Sequence, residues 1–318
     1  MKQEGKMKKL SIIIPVYNNE LNLRPLYEKL SKDVLKKDNF KYEIIFVDDG
    51  SEDNSYNELL KLREKNEYIK IIKFTRNFGA YTAIFAGLKY ANGNCMLIIP
   101  ADLQTPPKLI LEMYSWWEKD YKVVLAIRDD REEGKIQSFF SNTYWKLAKK
   151  YALKNTPEKG YDSFLIDRKI ADSISNANEK NSPLSAQILW YGYKVKKIYY
   201  VRKKRELGKS QWTLSKKIKL FIDTFIAFSY APIRIISVVG IIISLASFIY
   251  AIIILFNKFY NNVPIQGWAS LMIVLLGLSG IQLIILAIIG EYLWRNFDES
   301  RKRPIYIVEK EIGINDKK

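Results

Sequence analysis

The fold is decided by two stretches of sequence, LSIIIPVYNNE at residues 10–20 and YEIIFVDDGS at residues 42–51. Each begins with a nearly continuous apolar run, which is typical of a strand buried on both faces of a parallel sheet. Each run ends at polar residues, and the pattern that follows is helical. This alternation continues to residue 127 and predicts an α/β domain with a mostly parallel sheet. The predicted strands are Leu10–Val16, Tyr42–Val47, Ile69–Phe74, Met96–Ile99 and Val123–Ile127, and the predicted helices are Glu20–Leu35, Ser51–Asn66, Ala80–Ala91 and Pro107–Lys119.

The composition excludes several kinds of site. The 318-residue chain contains no histidine and a single cysteine, Cys95, so it has no His-based triad, intramolecular disulfide or Cys-rich zinc site. Any metal must be held by oxygen ligands, which favours Mg²⁺ or Mn²⁺. With 51 Lys+Arg against 34 Asp+Glu the formal net charge is +17, which predicts an anionic partner such as nucleic acid, acidic lipid or a phosphate-rich substrate.

Two uncharged segments, residues 235–256 and 268–290, are each long enough to cross a bilayer as a helix. A pair of buried core helices is the alternative, but such helices are rarely apolar on every side. Lys and Arg lie outside both segments, and the loop between them carries only Lys258. The positive-inside rule therefore predicts a hairpin with both ends in the cytosol. The first apolar run is too short for a signal peptide, so the N-terminal part is also expected to be cytosolic.

These features predict four regions. A sheet domain is expected over residues 1–213, a juxtamembrane amphipathic helix over 214–231, a transmembrane hairpin over 232–294 with spans at about 233–256 and 268–291, and a cytosolic tail over 295–318. Residues 137–153 form a second basic, aromatic-rich stretch with amphipathic spacing. Both amphipathic stretches are interpreted as helices at the membrane surface, although packing against the sheet domain is the alternative.

Polar residues follow four of the predicted strands: YNNE at 17–20, DDGS at 48–51, TRNFG at 75–79 and DLQ at 102–104. Ligands of such sheets bind beyond the carboxyl ends of the strands. DDGS alone would favour a turn or a helix cap, but four such ends together predict a ligand site. Asp102 and Gln104 would face one ligand in an extended segment, where they predict a metal bridging phosphate oxygens; a surface turn is the alternative. The sequence has neither GxxxxGK[ST] nor GxGxxG, so a P-loop and a dinucleotide fingerprint are excluded.

The motifs SIIIPVYN (11–18), VDDGS (47–51), RNFG (76–79) and ADLQ (101–104) together resemble the inverting family 2 glycosyltransferases, which have the GT-A fold. The closer resemblance is to the polyprenyl-phosphate glycosyltransferases of the dolichol-phosphate-mannose-synthase and GtrB-like group. RELGKSQW at 205–212, followed by two apolar segments, is similar to the C-terminal part of that group. The resemblance covers nearly the whole chain.

The resemblance implies a nucleotide-binding set of residues. It assigns Asp48 and Asp49 to the nucleotide base and ribose. It assigns Pro15, Tyr17 and Glu20 to the loop that packs around the nucleotide.

The resemblance also implies a metal site, in which Asp102 and Gln104 bind Mg²⁺ or Mn²⁺ and grip the donor diphosphate. Pro100 stands at the first position of the longer D-x-D-x-Q pattern, so only these two ligands remain. This departure suits the GtrB-like branch better than the mannose synthases and weakens mannose as the sugar.

The acceptor side is implied in the same way. Arg128 and Arg131 lie where the group binds the acceptor phosphate, while Arg205 and Ser210 match the segment that closes over donor and acceptor phosphates. Asp162 aligns loosely with an acidic position of the group, where it either orients the acceptor or acts as a structural cap.

The missing histidine fits a phosphate acceptor. A phosphate monoester has a second pKa of about 6, so it is largely dianionic at neutral pH and needs little help from a general base. The predicted enzyme transfers a sugar from a nucleotide-sugar, with a UDP-linked donor favoured, to undecaprenyl or another polyprenyl phosphate. It would act on the cytosolic face of a bacterial plasma membrane and supply lipid-linked sugar for cell-envelope glycosylation. No nucleic-acid partner is expected, and a homo-oligomer is left open.

Two other functions stay open. A processive polysaccharide synthase of the same superfamily would carry a Q-x-x-R-W motif and usually more spans, whereas this chain has QILW at residues 187–190. A non-enzymatic, membrane-tethered scaffold would use the positive charge to bind anions, but it would not need carboxylates gathered at one sheet edge.

Overall fold

The computed structural model describes residues 7–36, 40–128, 157, 161–201, 223–224, 226–229, 231–260 and 267–314. The chain divides into two compact units. The first comprises Met1–Phe221 together with Pro304–Lys318, and the second comprises Ile222–Arg303.

The first unit contains a mixed sheet flanked by helices. In its described residues the strands are β1 (Lys9–Val16), β2 (Lys41–Asp48), β3 (Ile69–Phe74), β4 (Cys95–Ile98), β5 (Val123–Arg128), β6 (Tyr161–Asp167), β7 (Val195–Tyr200) and β8 (Val308–Ile312). The helices are α1 (Glu20–Leu30, continued by a π-helical turn at Ser31–Leu35), α2 (Ser55–Lys65), α3 (Ala80–Tyr90), α4 (Leu109–Glu118), α5 (Arg168–Ala177) and α6 (Leu184–Trp190).

The strand order is β7-β5-β6-β4-β1-β2-β3-β8. The pairs β4–β1, β1–β2, β2–β3 and β5–β7 are parallel, whereas β6 runs antiparallel to β4 and β5, and β8 runs antiparallel to β3. The predicted α/β class with a mostly parallel sheet is confirmed, as are the five predicted strands to within one residue at each end.

The core explains why β1 reads as a continuous apolar run. Ile12 and Ile14 point into one apolar cluster with residues of α1, α2 and α4, whereas Ile13 points into a second cluster with residues of α3 and α5. Successive side chains of a strand alternate between the faces of the sheet, so both faces of this central strand are buried.

Two predicted helix starts were wrong by a few residues. Helix α2 begins at Ser55 rather than at residue 51. The Ser51 side chain accepts from the Asn18 N–H in the loop after β1, and the Asp53 side chain accepts from the Glu20 N–H at the start of α1, which keeps residues 51–54 out of the helix. Helix α4 begins at Leu109 rather than Pro107, because the N–H groups of Leu109 and Ile110 bond three residues back in a tight turn.

Strand β8 was not foreseen from the sequence. It lies in the region expected to be a tail and adds to the sheet edge beside β3, with Ile71 opposite Ile312 and Phe74 opposite Val308. Its sequence, VEKEI, carries charge at its centre, and an edge strand of this kind discourages pairing with further chains.

The second unit contains two long apolar helices, α7 (Ala231–Tyr260) and α8 (Trp268–Ser300). Among the described residues one stretch, Ser270–Ser300, is long and apolar enough to cross a membrane, and Ile236–Tyr250 is a shorter apolar stretch. Large apolar side chains on both helices are exposed, including Phe248 and Leu283 at 67% each. Such exposure does not fit the alternative of buried core helices. The two-helix membrane hairpin stays a prediction.

Candidate active site

Asp48 lies at the carboxyl end of β2 and is completely buried. Its Oδ1 accepts a hydrogen bond from the Ser51 N–H at 2.9 Å, whereas its Oδ2 is buried and has no partner among the described residues. Burial raises the pKa of Asp48 above its ordinary value, although hydrogen bonds from Ser51 oppose the shift. A buried acceptor without a partner in the described ranges indicates a position where a ligand can donate a hydrogen bond.

Asp49 connects β2 to the loop after β3. Its two oxygens accept hydrogen bonds from the backbone N–H groups of Phe78 at 2.6 Å and Gly79 at 2.9 Å. Burial nevertheless raises the pKa of Asp49 to about 6, and the neighbouring Asp48 adds to the shift. Gly50 lets the two loops approach: its φ is +69°, and a Cβ there would lie 2.4 Å from the Arg76 carbonyl carbon. The Asp48–Ser51 loop and the Thr75–Gly79 loop therefore form one packed unit.

The loop after β1 is joined to the DDGS loop in the same way. The Asn18 N–H donates to Ser51 Oγ at 3.1 Å, and the Glu52 N–H donates back to Asn18 Oδ1 at 3.0 Å. The Asn54 N–H donates to Glu20 Oε2 at 2.9 Å, which gives this predicted nucleotide residue a structural contact. Pro15 and Tyr17, also predicted to pack around the nucleotide, lie partly exposed at the same sheet edge.

Asp102 and Gln104 follow β4 and are both almost fully buried. The segment is not extended, as the alternation argument required, because Leu103 takes up a left-handed φ of +61° and the Gln104 N–H donates to Asp102 Oδ1 at 3.2 Å. No cluster of three or more His, Cys, Asp or Glu side chains suited to a metal ion occurs in the part of the chain that the structure describes. Mg²⁺ keeps several waters and is commonly bound by one or two protein oxygens together with substrate phosphates, so this pair fits a metal that shares its coordination with a diphosphate.

A buried hydroxyl pair ties the DLQ loop to β6. Thr105 Oγ1 and Ser163 Oγ lie 2.9 Å apart, and both side chains are buried. Sequence reasoning missed this contact, since neither residue belongs to a pattern that predicts one. It fixes the loop that carries Asp102 to the strand that begins at Tyr161.

A β-bulge places Asp162 at the same sheet edge. Ala126 pairs with Ser163 and Ile127 pairs with Tyr161, so Asp162 is the extra residue in β6. Bulges of this kind often re-aim a residue beside an active site. The side chain of Asp162 lies outside the described part of the structure, so its two interpretations stay open.

Arg128 ends β5 at this edge and is partly exposed. The other three predicted phosphate-binding residues, Arg131, Arg205 and Ser210, lie outside the described residues. So do residues 137–153 and most of the juxtamembrane stretch 214–231. Their roles stay predictions.

The order of the strands determines the order of the candidate site residues along the edge formed by the carboxyl ends of the parallel strands. Strands β6, β4, β1, β2 and β3 are consecutive neighbours, so Asp162, Asp102, Tyr17, Asp48 and the Thr75–Gly79 loop follow one another. Neighbouring strands are about 4.8 Å apart, which puts the DDGS loop and the DLQ loop roughly 10 Å apart on either side of β1. That separation is suited to a ligand with an organic group at one end and phosphates at the other.

Residues 11–175 match the model of the family described as "Glycosyl transferase family 2". The chain belongs to this family. The resemblance inferred from the motifs is confirmed, and this glycosyltransferase has a GT-A-like α/β fold.

Similar proteins include two that match over almost their whole length. An "Uncharacterized glycosyltransferase YkcC" of Bacillus subtilis (strain 168) is 40% identical over 97% of this glycosyltransferase and 95% of its own length. A "Bactoprenol glucosyl transferase" of Shigella phage SfV is 30% identical over 95% of this chain and 99% of its own length. Among solved structures, glucosyl-3-phosphoglycerate synthase from Mycobacterium tuberculosis in complex with Mn²⁺ and uridine diphosphate is 13% identical, with a TM-score of 0.48 over 68% of this chain and 80% of that chain.

Proposed function

We propose that this glycosyltransferase transfers a single sugar from a UDP-linked donor to a polyprenyl phosphate. The observation that carries the proposal is the arrangement of residues at the carboxyl ends of the parallel strands. The buried Asp48 carboxylate, the Asp102–Gln104 loop and the Asp162 bulge follow one another along this edge. The acceptor is supported by the full-length similarity to a bactoprenol glucosyl transferase.

The nucleotide is inferred from Asp48 Oδ2, which has no partner in the part of the chain that the structure describes. Oδ1 already accepts from the Ser51 N–H, so Oδ2 is the oxygen placed to accept an N–H of the nucleotide base. Uracil offers a single ring N–H, whereas guanine presents two adjacent donors that would use both oxygens of a carboxylate. One acceptor oxygen is enough to pair with the ring N–H of uracil, and the departure at Pro100 from the mannose-synthase pattern also favours a uridine nucleotide.

The donor diphosphate would lie beside the DLQ loop. Asp102 and Gln104 would hold Mg²⁺ or Mn²⁺ together with the diphosphate oxygens. A bound divalent ion would stabilise the negative charge that develops on the leaving group. Burial of these two side chains strengthens that electrostatic contribution, since charges interact more strongly away from water.

The transfer itself requires little proton chemistry. An oxygen of the acceptor phosphate attacks the anomeric carbon and forms the new C–O bond, while the bond to the donor diphosphate breaks and its electron pair leaves with UDP. Arg128 and Arg131 would hold the acceptor phosphate, and Arg205 and Ser210 would close over both substrates. Asp162 would orient the acceptor. Positioning and charge stabilisation then supply most of the rate enhancement.

The position of β8 supports the membrane hairpin. Strand β7 precedes the two apolar helices and β8 follows them, yet both strands belong to one sheet. The chain between them must therefore cross any membrane an even number of times. If α8 spans the bilayer, α7 must span it too. We infer a two-span protein of the bacterial plasma membrane, with the sheet domain, the juxtamembrane segment 214–231 and both termini in the cytosol.

The test is a transfer assay on the full-length protein in lipid nanodiscs. Radiolabelled UDP-sugars and GDP-sugars are incubated with Mg²⁺ or Mn²⁺ and undecaprenyl phosphate, and the label that enters the organic phase is counted. We expect transfer of one sugar from a UDP-linked donor and none to undecaprenol, which lacks the phosphate. Absence of transfer from every donor refutes the proposal, and a polymeric product would instead indicate a processive synthase.

A further inference from the structure

The segment Pro304–Ile314, here called the C-terminal segment, packs beside the loop that holds Asp49. It follows the two apolar helices in sequence, but it belongs to the first unit and contributes β8. Its hydrogen bonds continue past the strand, because the Thr75 N–H donates to the Ile307 carbonyl at 3.1 Å. Thr75 is the first residue of the Thr75–Gly79 loop.

Tyr306 is the aromatic residue of this segment. Its ring stacks on Phe74, the last residue of β3, with ring centroids 5.0 Å apart and an interplanar angle of 20°. It also meets Phe85 of α3 edge-on at 6.5 Å. Tyr306 therefore contacts the element before the loop and the element after it.

The contact continues to Asp49 through Phe78. The Phe78 ring packs edge-on against Phe74 at 5.7 Å, and the Arg76 guanidinium lies 4.2 Å from the Phe78 ring centroid. The backbone N–H groups of Phe78 and Gly79 are the two donors that Asp49 accepts. Thr75, Arg76 and Asn77 are exposed, so the aromatic cluster of Phe74, Phe78, Phe85 and Tyr306 supplies most of the apolar packing of this loop.

We propose that Tyr306 is a positioning residue for the donor nucleotide: by packing on Phe74 and Phe85 it fixes the Thr75–Gly79 loop against Asp49. The inference rests on the proposed function, since it assumes that the Asp48–Asp49 loop binds the nucleotide. The packing of Tyr306 makes the donor site depend on a segment that is synthesised after the two apolar helices. A truncated sheet domain would contain every acidic site residue and still bind the donor poorly.

The test compares Tyr306→Leu and Tyr306→Phe in the full-length protein. The affinity for UDP is measured by titration calorimetry without acceptor, and KM and kcat are measured in the transfer assay. Tyr306→Leu removes the ring contacts with Phe74 and Phe85, so it should weaken UDP binding and raise the donor KM on the order of tenfold. The acceptor KM should stay within twofold, and Tyr306→Phe, which keeps the ring, should restore the wild-type values.

Ile198→Ala is the matched control. Ile198 is buried on β7, which is the outermost strand on the opposite side of the sheet from β8. If Ile198→Ala weakens UDP binding as much as Tyr306→Leu at an equal loss of Tm, the effect is general destabilisation and the inference is wrong. Unchanged UDP affinity in Tyr306→Leu also overturns it. If Tyr306→Leu does not fold, Tyr306→Met decides in the same way, since it keeps apolar volume without the ring face. Failure of the wild-type protein to bind UDP would refute the proposed function instead.

Discussion

Replacing Asp48 by Asn should separate ligand binding from folding. In the folded protein Oδ1 of Asp48 accepts from the Ser51 N–H, and Oδ2 is the buried acceptor that has no partner among the described residues. The side-chain amide of the Asp48→Asn variant would keep one oxygen for Ser51 and would turn its NH₂ group toward the base, where two donors would face each other. A hydrogen bond to a charged group contributes about 1.5–3 kcal/mol, so the UDP dissociation constant should rise about 10- to 150-fold.

The same substitution should leave stability unchanged or improve it. Burial raises the pKa of Asp48, so the folded state disfavours its ionised form. A group with a raised folded pKa contributes stability at low pH and loses that contribution as pH rises. At neutral pH the neutral amide removes this unfavourable term, and the Tm of Asp48→Asn should equal or exceed that of the wild type.

The measurements are UDP titration calorimetry and thermal unfolding at pH 7 on the full-length protein. Asp120→Asn is the control, because Asp120 has a side chain that is 86% exposed and lies before β5, at the opposite edge of the sheet. A UDP dissociation constant in Asp48→Asn within threefold of wild type would refute the assignment of Asp48 to the base. A large fall in Tm with weakened binding would show that Asp48 is mainly structural.

Three further predictions concern the metal loop and the stability of the sheet. Asp102→Ala should abolish sugar transfer assayed with Mg²⁺ or Mn²⁺, while the variant still binds UDP and its Tm falls little. Full activity of this variant would contradict the assignment of Asp102 as a metal ligand. Ser163→Ala should lower kcat and raise the metal concentration needed for half-maximal activity, because it breaks the 2.9 Å contact with Thr105; unchanged metal dependence would contradict this role, and Ser163→Thr should retain activity. Glu43→Gln should lower the free energy of unfolding by about 3 kcal/mol, which corresponds to a fall in Tm of about 6–12 °C. Burial alone would raise the pKa of Glu43, but hydrogen bonds from Lys9, Ser11, Asn92 and Lys70 outweigh burial and lower the pKa to about 2. This contribution is present above pH 4.5 and is lost as pH falls toward 2, so the Tm difference should shrink in acid; a constant difference would refute the linkage.

The order of strands and helices to residue 127 could be predicted because local pattern and burial agree there. Ile12, Ile13 and Ile14 are consecutive and apolar, and the two faces of β1 bury them alternately. The motif resemblance also gave the family correctly, since it combined four separate strand ends. Local pattern alone could not give β8, because the charged residues of VEKEI have meaning only beside β3.

The details of the site depended on contacts between distant segments. Asp53 is a residue type that often precedes helices, and its Oδ1 accepts from the Ser55 N–H at the start of α2; only the structure shows that its Oδ2 accepts from the Glu20 N–H at the start of α1. Leu103 gives no sequence signal for a left-handed φ, yet this conformation determines how Asp102 and Gln104 are presented. The sequence predicts the loop at residues 75–79 as one of four strand ends at a ligand site, but only the structure shows that the N–H groups of Phe78 and Gly79 hold Asp49.

Strand β2 shows how the structure distinguishes carboxylates that the sequence cannot. Glu43 near its start and Asp48 at its end are both almost completely buried within five residues of each other. Glu43 receives bonds from Lys9 at 2.7 Å and Lys70 at 2.9 Å, and its pKa falls to about 2, so the fold favours its charge. The pKa of Asp48 is raised, so the fold disfavours its charge, and Oδ2 has no partner among the described residues. Carboxylates with perturbed pKa values cluster at functional sites. The opposite shifts along one strand, together with the buried Oδ2 of Asp48, therefore support our proposal that Asp48 binds the nucleotide, whereas Glu43 is structural.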